Sequence, residues 1–246
     1  FIFLGGTQRL ASVVEKLVPF MAAVYILGSL LLILLNITEL PGAIKMIFVG
    51  AFKPEAVMGA GAGIAVREAI RYGVARGLFS NEAGMVLHLT LTREQKVENP
   101  HKQGLAAMVS VFIDTFVILN LTVFSILTTG AMETHKTGTA LTQAAFSRTF
   151  GGFGDIFVAV CLLFFAFSTI LGWHFFGLVN MKYLFGDKAG KLYSVLVIAF
   201  VVIGSMLKVD FVWSLSDFFN GLMVIPNAIA LWALGGVVVS ICKKYS

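Results

Sequence analysis

Tyr72–Met85 reads YGVARGLFSNEAGM, and the fold of the chain turns on this stretch. It sets Arg76, Asn81 and Glu82 beside glycines at the end of an apolar, glycine-broken segment, Ala56–Gly84. Charged and amide side chains at membrane depth are costly, so they serve a polar pathway or a tight internal network. The rest of the chain shows whether this segment lies in a membrane.

Of 246 residues, 58% are hydrophobic and 13% charged, with a mean hydropathy of +0.92. A soluble domain carries about 25% charged residues, which excludes a water-soluble fold. Cys161 and Cys242 both sit in apolar runs, where a small hydrophobe is the expected role. His88, His101, His135 and His174 have no metal-ligand spacing. The pI near 9.3 arises from basic residues between apolar spans, which points to membrane topology before nucleic acid. Phe1 is followed by Gly5, Gly6 and Arg9 and then directly by a full-length span. The expectation is a fragment, or a truncated product, of a longer protein.

Hydrocarbon about 30 Å thick needs about 20 apolar helical residues. Leu17–Thr38, Ile156–Met181 and Phe218–Cys242 qualify, as does Thr115–Met132 extended back to Gly104 through Asp114. Leu192–Leu207 is shorter but of the same kind, and Ala56–Gly84 is the sixth span. With six spans, one side receives Arg9, Lys16, Arg71, Arg76, Arg93, Lys96, Lys102, Lys182, Lys188, Lys191, Lys243 and Lys244. The other receives Lys45, Lys53, Lys136, Arg148 and Lys208, a bias of twelve to five. The positive-inside rule then puts both termini in the cytoplasm. Pro41–Phe52 reads as a short interfacial helix. Thr134–Phe153 is the longest outer loop, with GGFGD at Gly151–Asp155 leading into the next span.

Gly59, Gly61 and Gly63 in GAGAG admit two readings. Each glycine weakens a helix by about 1 kcal/mol relative to alanine, so three at alternate positions invite unwinding. Unwound backbone at membrane depth survives against protein or water, and half-helix ends there bind a carboxylate and a cation. The other reading is a small-residue packing face. Arg67, Glu68 and Arg71 fall within one turn and suit a structural ion network. Arg76 and Glu82 flank GLFSN as a gate or a lock on a tight turn, and Asn81 belongs to the same polar group. In FFAFSTILGWHFFG, Phe164–Gly177, Ser168 and Thr169 supply two hydroxyls. Each commonly bonds its own helix backbone; as a pair they offer the oxygen ligands a small hard cation prefers. Trp173 follows Thr169 by four residues and can wall a compact pocket, whereas His174 faces elsewhere. Asp114 is a lone carboxylate inside a span with no partner evident in the sequence. Pro226 and Asn227 bring a kink and an amide to the last span.

With these residues in view, five stretches in order resemble the sodium:alanine symporter family, the alanine or glycine:cation symporters. They are GGTQRLASVVEKLVPFMAAVYILG, YGVARGLFSNEAGM, FIDT at Phe112–Thr115, FAFSTILGW, and VW followed by DFFNGLMVIPN. The resemblance implies an all-α integral membrane protein of the leucine-transporter fold, two inverted five-helix repeats whose first helices are broken at midplane. Leu17–Thr38 would close the first repeat, the rest of which is missing; Ala56–Gly84 would be the broken helix of the second, and Ile156–Met181 its third helix. It further implies cation-binding Ser168 and Thr169, substrate-binding Gly59, Gly61, Gly63, Ile64 and Trp173, and a gating or structural role for Arg67, Glu68, Arg71, Arg76, Asn81, Glu82 and Asp114. The implied function is symport of alanine or glycine with Na+ across the inner membrane, without a metal cofactor or catalysis. As an isolated piece the chain is not expected to transport, and a non-transporting remnant of such a carrier is the alternative. An intramembrane enzyme would need a nucleophile–base pair or histidine ligands inside spans, and only His174 lies inside one.

One segment departs from the family pattern. Relatives continue after NEAGM with something like GSTPHAHARAK, where this chain has VLHLTLTREQK, Val86–Lys96. Written in permissible codons and read one base out of frame, the family string yields Val86–Gln95 throughout. A one-base deletion and a nearby insertion are therefore expected here. Leu87, Leu89 and Leu91 would then pack poorly, and His88 would have no role.

Overall fold

Uncharged runs of Leu, Ile, Val and Phe have one local solution in hydrocarbon, a helix that satisfies its own backbone. The computed structural model describes residues 6–52, 62–81 and 100–245, with side chains described outside 6–16, 51, 62–69 and 245. Every regular element among the described residues is helical. In chain order these are α1 (Gly6–Leu35), α2 (Leu40–Phe52), α3 (Ala62–Ser80), α4 (Pro100–Thr128), α5 (Thr139–Phe150), α6 (Gly152–Phe185), α7 (Asp187–Met206), α8 (Val209–Ala233) and α9 (Gly235–Tyr245). Within α4, Ile113–Leu119 is wound as a π-helix. Among the described residues, five helices are long and apolar enough to cross a membrane: α1 over Leu17–Leu35, α4, α6, α7 and α8. With Arg71 and Arg76 added to Arg67 and Glu68, α3 is far less apolar.

The chain divides into two units, residues 1–70 with 115–172 and residues 71–114 with 173–246. In the first, α1 packs against the C-terminal part of α4, which also carries α2 and α5. Tyr25, Leu32, Ile33, Phe146, Val158 and Cys161 form its core. The Phe146 and Phe157 rings stack with centroids 5.2 Å apart. Gly28 lets the Phe157 ring lie against α1, since a Cβ there would overlap the ring. Gly154 is held more tightly, because its α-carbon faces the Phe146 backbone carbonyl.

Polar groups tie the ends of these helices together. Asn36 donates through Nδ2 to Leu32 O at 2.9 Å, closing the end of α1, and to Thr149 Oγ1 at 3.0 Å on α5. Arg148, the neighbour of Thr149, donates to Thr129 O at 2.9 Å and to Gly130 O just past α4. The C-terminal ends of α1 and α4 therefore meet adjacent residues of α5, so the two helices run parallel.

In the second unit the later part of α6 packs on α7. Gly177 accepts the Tyr193 ring where any side chain would collide with it. His174 is buried and lies 2.9 Å through Nε2 from Ser194 Oγ, with its ring stacked on Tyr193. α9 lies against the first part of α4. No residue of α8 is buried, and most of its Leu, Ile and Phe side chains are exposed. An apolar surface of that extent is meant for lipid or further helices.

Two sequence expectations change. The last span, expected at Phe218–Cys242, begins at Val209 and ends at Ala233, where a turn at Leu234 precedes a separate helix, α9. Gly235 and Gly236 weaken the helix at that point, and Asp210 and Asp217, which a charge-free window avoids, are carried in its first third. Thr134–Phe153, expected as a loop, is largely the helix α5. It is too short and polar to register as a span, yet it buries Ala144, Ala145 and Phe146. Pro41–Phe52 is helical as expected.

Candidate functional site

Tyr72–Ser80 forms the second half of α3, and Arg76, Phe79 and Ser80 find partners within the second unit. Arg76 grips Asp217 of α8 with both arms, Nη1 to Oδ1 at 2.8 Å and Nη2 to Oδ2 at 3.1 Å. Its guanidinium carbon lies 4.0 Å from the centre of the Trp213 ring. Trp213 and Asp217 are four residues apart, so α8 presents them on one face and the arginine takes an ion pair and a cation–π contact together. The side chains of Arg76 and Asp217 are 33% and 39% exposed. A pair open to that degree is held far less firmly than a buried one.

Three residues on, Phe79 stacks on Trp173 with centroids 6.2 Å apart and planes inclined 13°. It also sets its edge against Trp213 at 6.0 Å. Trp173 in turn meets the edge of Phe176 at 6.1 Å. The aromatic side chain expected to wall a pocket is thus joined through Phe79 to the tryptophan beneath Arg76.

The last residue of α3, Ser80, donates to Asp114 Oδ2 at 2.6 Å. Asp114 lies in the first turn of the π-helix within α4. A π-turn leaves the i→i+4 ladder locally unmade and is frequent at functional sites. The carboxylate without a sequence-evident partner therefore has one, supplied by the same glycine-rich string. Asn81 forms the turn after α3, its backbone N–H reaching Gly77 O at 3.1 Å. Arg71 lies over the Tyr72 ring at 5.7 Å.

The other candidates sit as follows. Gly63 and Ile64 lie in the first turn of α3, and Arg67 and Glu68 farther along it. Gly59, Gly61, Glu82 and Val86–Lys96 lie outside the described residues. In the first unit, Ser168 is buried and donates to Phe165 O at 3.0 Å, with Met21 Sδ at 3.5 Å. Thr169 is exposed. Consecutive helical residues point about 100° apart, so one hydroxyl faces the core of this unit and the other faces outward.

Sequence reading missed Phe79, Ser80, Trp213 and Asp217 as site residues. The signal for Asp217 was present: an acid inside an apolar span needs a cation, and an aromatic residue one turn earlier marks the same face.

Comparison with known proteins covers the whole chain. The profile described as the sodium:alanine symporter family matches residues 1–246. A protein named as an uncharacterized transporter from Haemophilus influenzae is 40% identical over 99% of this chain and 54% of its own length. The probable sodium/glutamine symporter GlnT of Bacillus subtilis is 38% identical over 100% of the chain and 51% of its own. The sodium/alanine symporter AgcS of Methanococcus maripaludis is 36% identical over 100% and 54%. The chain spans about half the length of the curated relatives it matches.

Proposed function

Because the chain belongs to the sodium:alanine symporter family, a family of transporters and not of catalysts, we propose that it forms part of a carrier that moves alanine or glycine with Na+ across the cytoplasmic membrane. The observation that carries this reading is the cluster built on the end of α3. Arg76, Phe79 and Ser80 of one short string engage Asp217, Trp213, Trp173 and Asp114 on three other helices. A carrier needs contacts that hold one conformation and yet yield when substrate binds.

The magnitudes suit that task. A partly exposed ion pair contributes about 1 kcal/mol, and the cation–π contact adds about 0.5–1 kcal/mol at an exposed ring. Differential binding of a substrate between two conformations supplies that much, since a tenfold preference is about 1.4 kcal/mol. Arg76 and Asp217 act in this reading as a releasable lock. Trp173 acts as an aromatic wall against the substrate side chain. Ser168 and Thr169 are candidate oxygen ligands for Na+, and the open N–H groups at the start of α3, near Gly63 and Ile64, are candidate ligands for the substrate carboxylate. Both ends of the chain are proposed to face the cytoplasm, from the twelve-to-five distribution of basic residues.

The test is uptake of labelled alanine by a carrier of family length built on this sequence, with and without an inward Na+ gradient. Excess unlabelled glycine and glutamine serve as competitors. Gradient-dependent uptake inhibited by glycine supports the reading. Uptake indifferent to any cation gradient overturns the coupling, and inhibition by glutamine alone overturns the substrate.

A further inference from the structure

The face of α1 that packs on α4 is unexpectedly polar. Tyr25 and Ser29 sit one turn apart on α1; Thr122 and Ser125 sit one turn apart on α4. The Tyr25 hydroxyl lies 2.7 Å from Thr122 Oγ1, which fixes the register between the helices. Thr122 also donates to Ile118 O at 2.9 Å, so its proton is engaged.

Ser29 and Ser125 are each fully buried, at 0% exposure; neither hydroxyl oxygen makes a well-formed hydrogen bond among the described residues, and Ser29 lies beside the Tyr25 hydroxyl. Other buried hydroxyls among the described residues behave otherwise: Thr128 on α4, Ser168 on α6 and Ser194 on α7 each donate to a carbonyl three or four residues back. The two orphans lie at one level. The helices run parallel, and four residues beyond Tyr25 on α1 match three beyond Thr122 on α4, about 6 Å against 4.5 Å of rise. The Tyr25 hydroxyl, bonded to Thr122, lies beside Ser29.

We propose that Ser29 and Ser125, with the Tyr25 hydroxyl beside them, bind one internal water molecule between α1 and α4. An isolated buried hydroxyl is costly, and a buried water is held by two to four polar groups, which this cluster supplies. The hydroxyls of Tyr25, Ser29 and Ser125 are neutral, so a water suits the group better than a bare cation, which needs compensation of charge. The site stands apart from Ser168, which touches α1 at Met21, two turns before Ser29. It fills a need of the helix pair and does not depend on the coupling mechanism.

The experiment uses the carrier of family length. A map at a resolution that shows ordered water is obtained in Na+ and again with Na+ replaced by choline. The expected result is a peak within hydrogen-bond distance of Ser29 and Ser125 in both. A peak lost with Na+ makes the ligand a cation and overturns the proposal. So does a direct Ser29–Ser125 contact, or each serine bonded to its own helix carbonyl. In parallel, S29A and S125A are expected each to lower the apparent Tm by about 2–4 °C, and S29A/S125A by less than their sum. Strictly additive shifts argue against a shared ligand. Unaltered protein carries the mapping arm should the variants fold poorly.

Discussion

Removing the Asp217 carboxylate tests whether α3 and α8 are held by the contact that the structure draws. Arg76 reaches Asp217 with two charge-assisted hydrogen bonds at 2.8 and 3.1 Å, and its guanidinium rests 4.0 Å from the Trp213 ring centre. Hydrogen bonds to charged groups contribute about 1.5–3 kcal/mol. With side chains 33% and 39% exposed, solvent screening moves the pair toward the low end, near 1–1.5 kcal/mol. Asp217→Asn keeps one acceptor and turns an amide donor toward the guanidinium, so about 1 kcal/mol is lost. Asp217→Leu removes both acceptors and leaves Arg76 on Trp213 alone, for a loss of about 1.5–2 kcal/mol. At about 2–4 °C per kcal/mol, the Leu variant should melt about 3–8 °C lower in a thermal-shift assay on purified carrier. Arg76→Met should cost somewhat more, because the cation–π contact goes as well. The decisive quantity is the double variant, whose loss should fall short of the sum of the singles by about 1 kcal/mol. Additivity within about 0.3–0.5 kcal/mol, the behaviour of independent sites, refutes the pairing and the lock built on it.

Gly154→Ala should be severely destabilising, about 2–3 kcal/mol or more, because the new methyl meets the Phe146 backbone carbonyl. Gly28→Ala should cost less, since the obstacle there is the rotatable Phe157 ring; thermal melts of the two side by side check the order. Asn36→Leu should lower stability by about 1–2 kcal/mol, through loss of its bonds to Leu32 O and Thr149, with Asn36→Gln not restoring it. Ser80→Ala should reduce uptake without preventing assembly, by taking the hydroxyl from Asp114, and Ser80→Thr should retain more activity. DNA sequencing across Met85–Val97 should reveal a frame displaced by one base over Val86–Gln95, and an intact frame whose codons are unrelated to the family string would end that idea.

Much of the membrane architecture was legible in the chain because hydrophobic length is a local property. Each of the helices α1, α4, α6, α7 and α8 announces itself through its own residues, since every spanning segment must complete its backbone hydrogen bonds alone. Errors came where structure depends on neighbours. α5 is polar and short, and it is helical with its flank buried against the ends of α1 and α4. The last span was placed late because its opening third carries Asp210 and Asp217.

Taken alone, the sequence determined a multi-span helical protein and, through five ordered motifs, its family. It also singled out the end of α3 as a place where charge must be compensated. Which residues compensate it only the tertiary structure decided. Arg76 and Asp217 are 141 positions apart, and Ser80 and Asp114 are 34 apart. Helical periodicity reports what shares a face of one helix; it carries no information on which faces of two helices meet. That choice rests on the packing of large and small side chains, Phe157 on Gly28 and Tyr193 on Gly177, and it exists only once the helices are together.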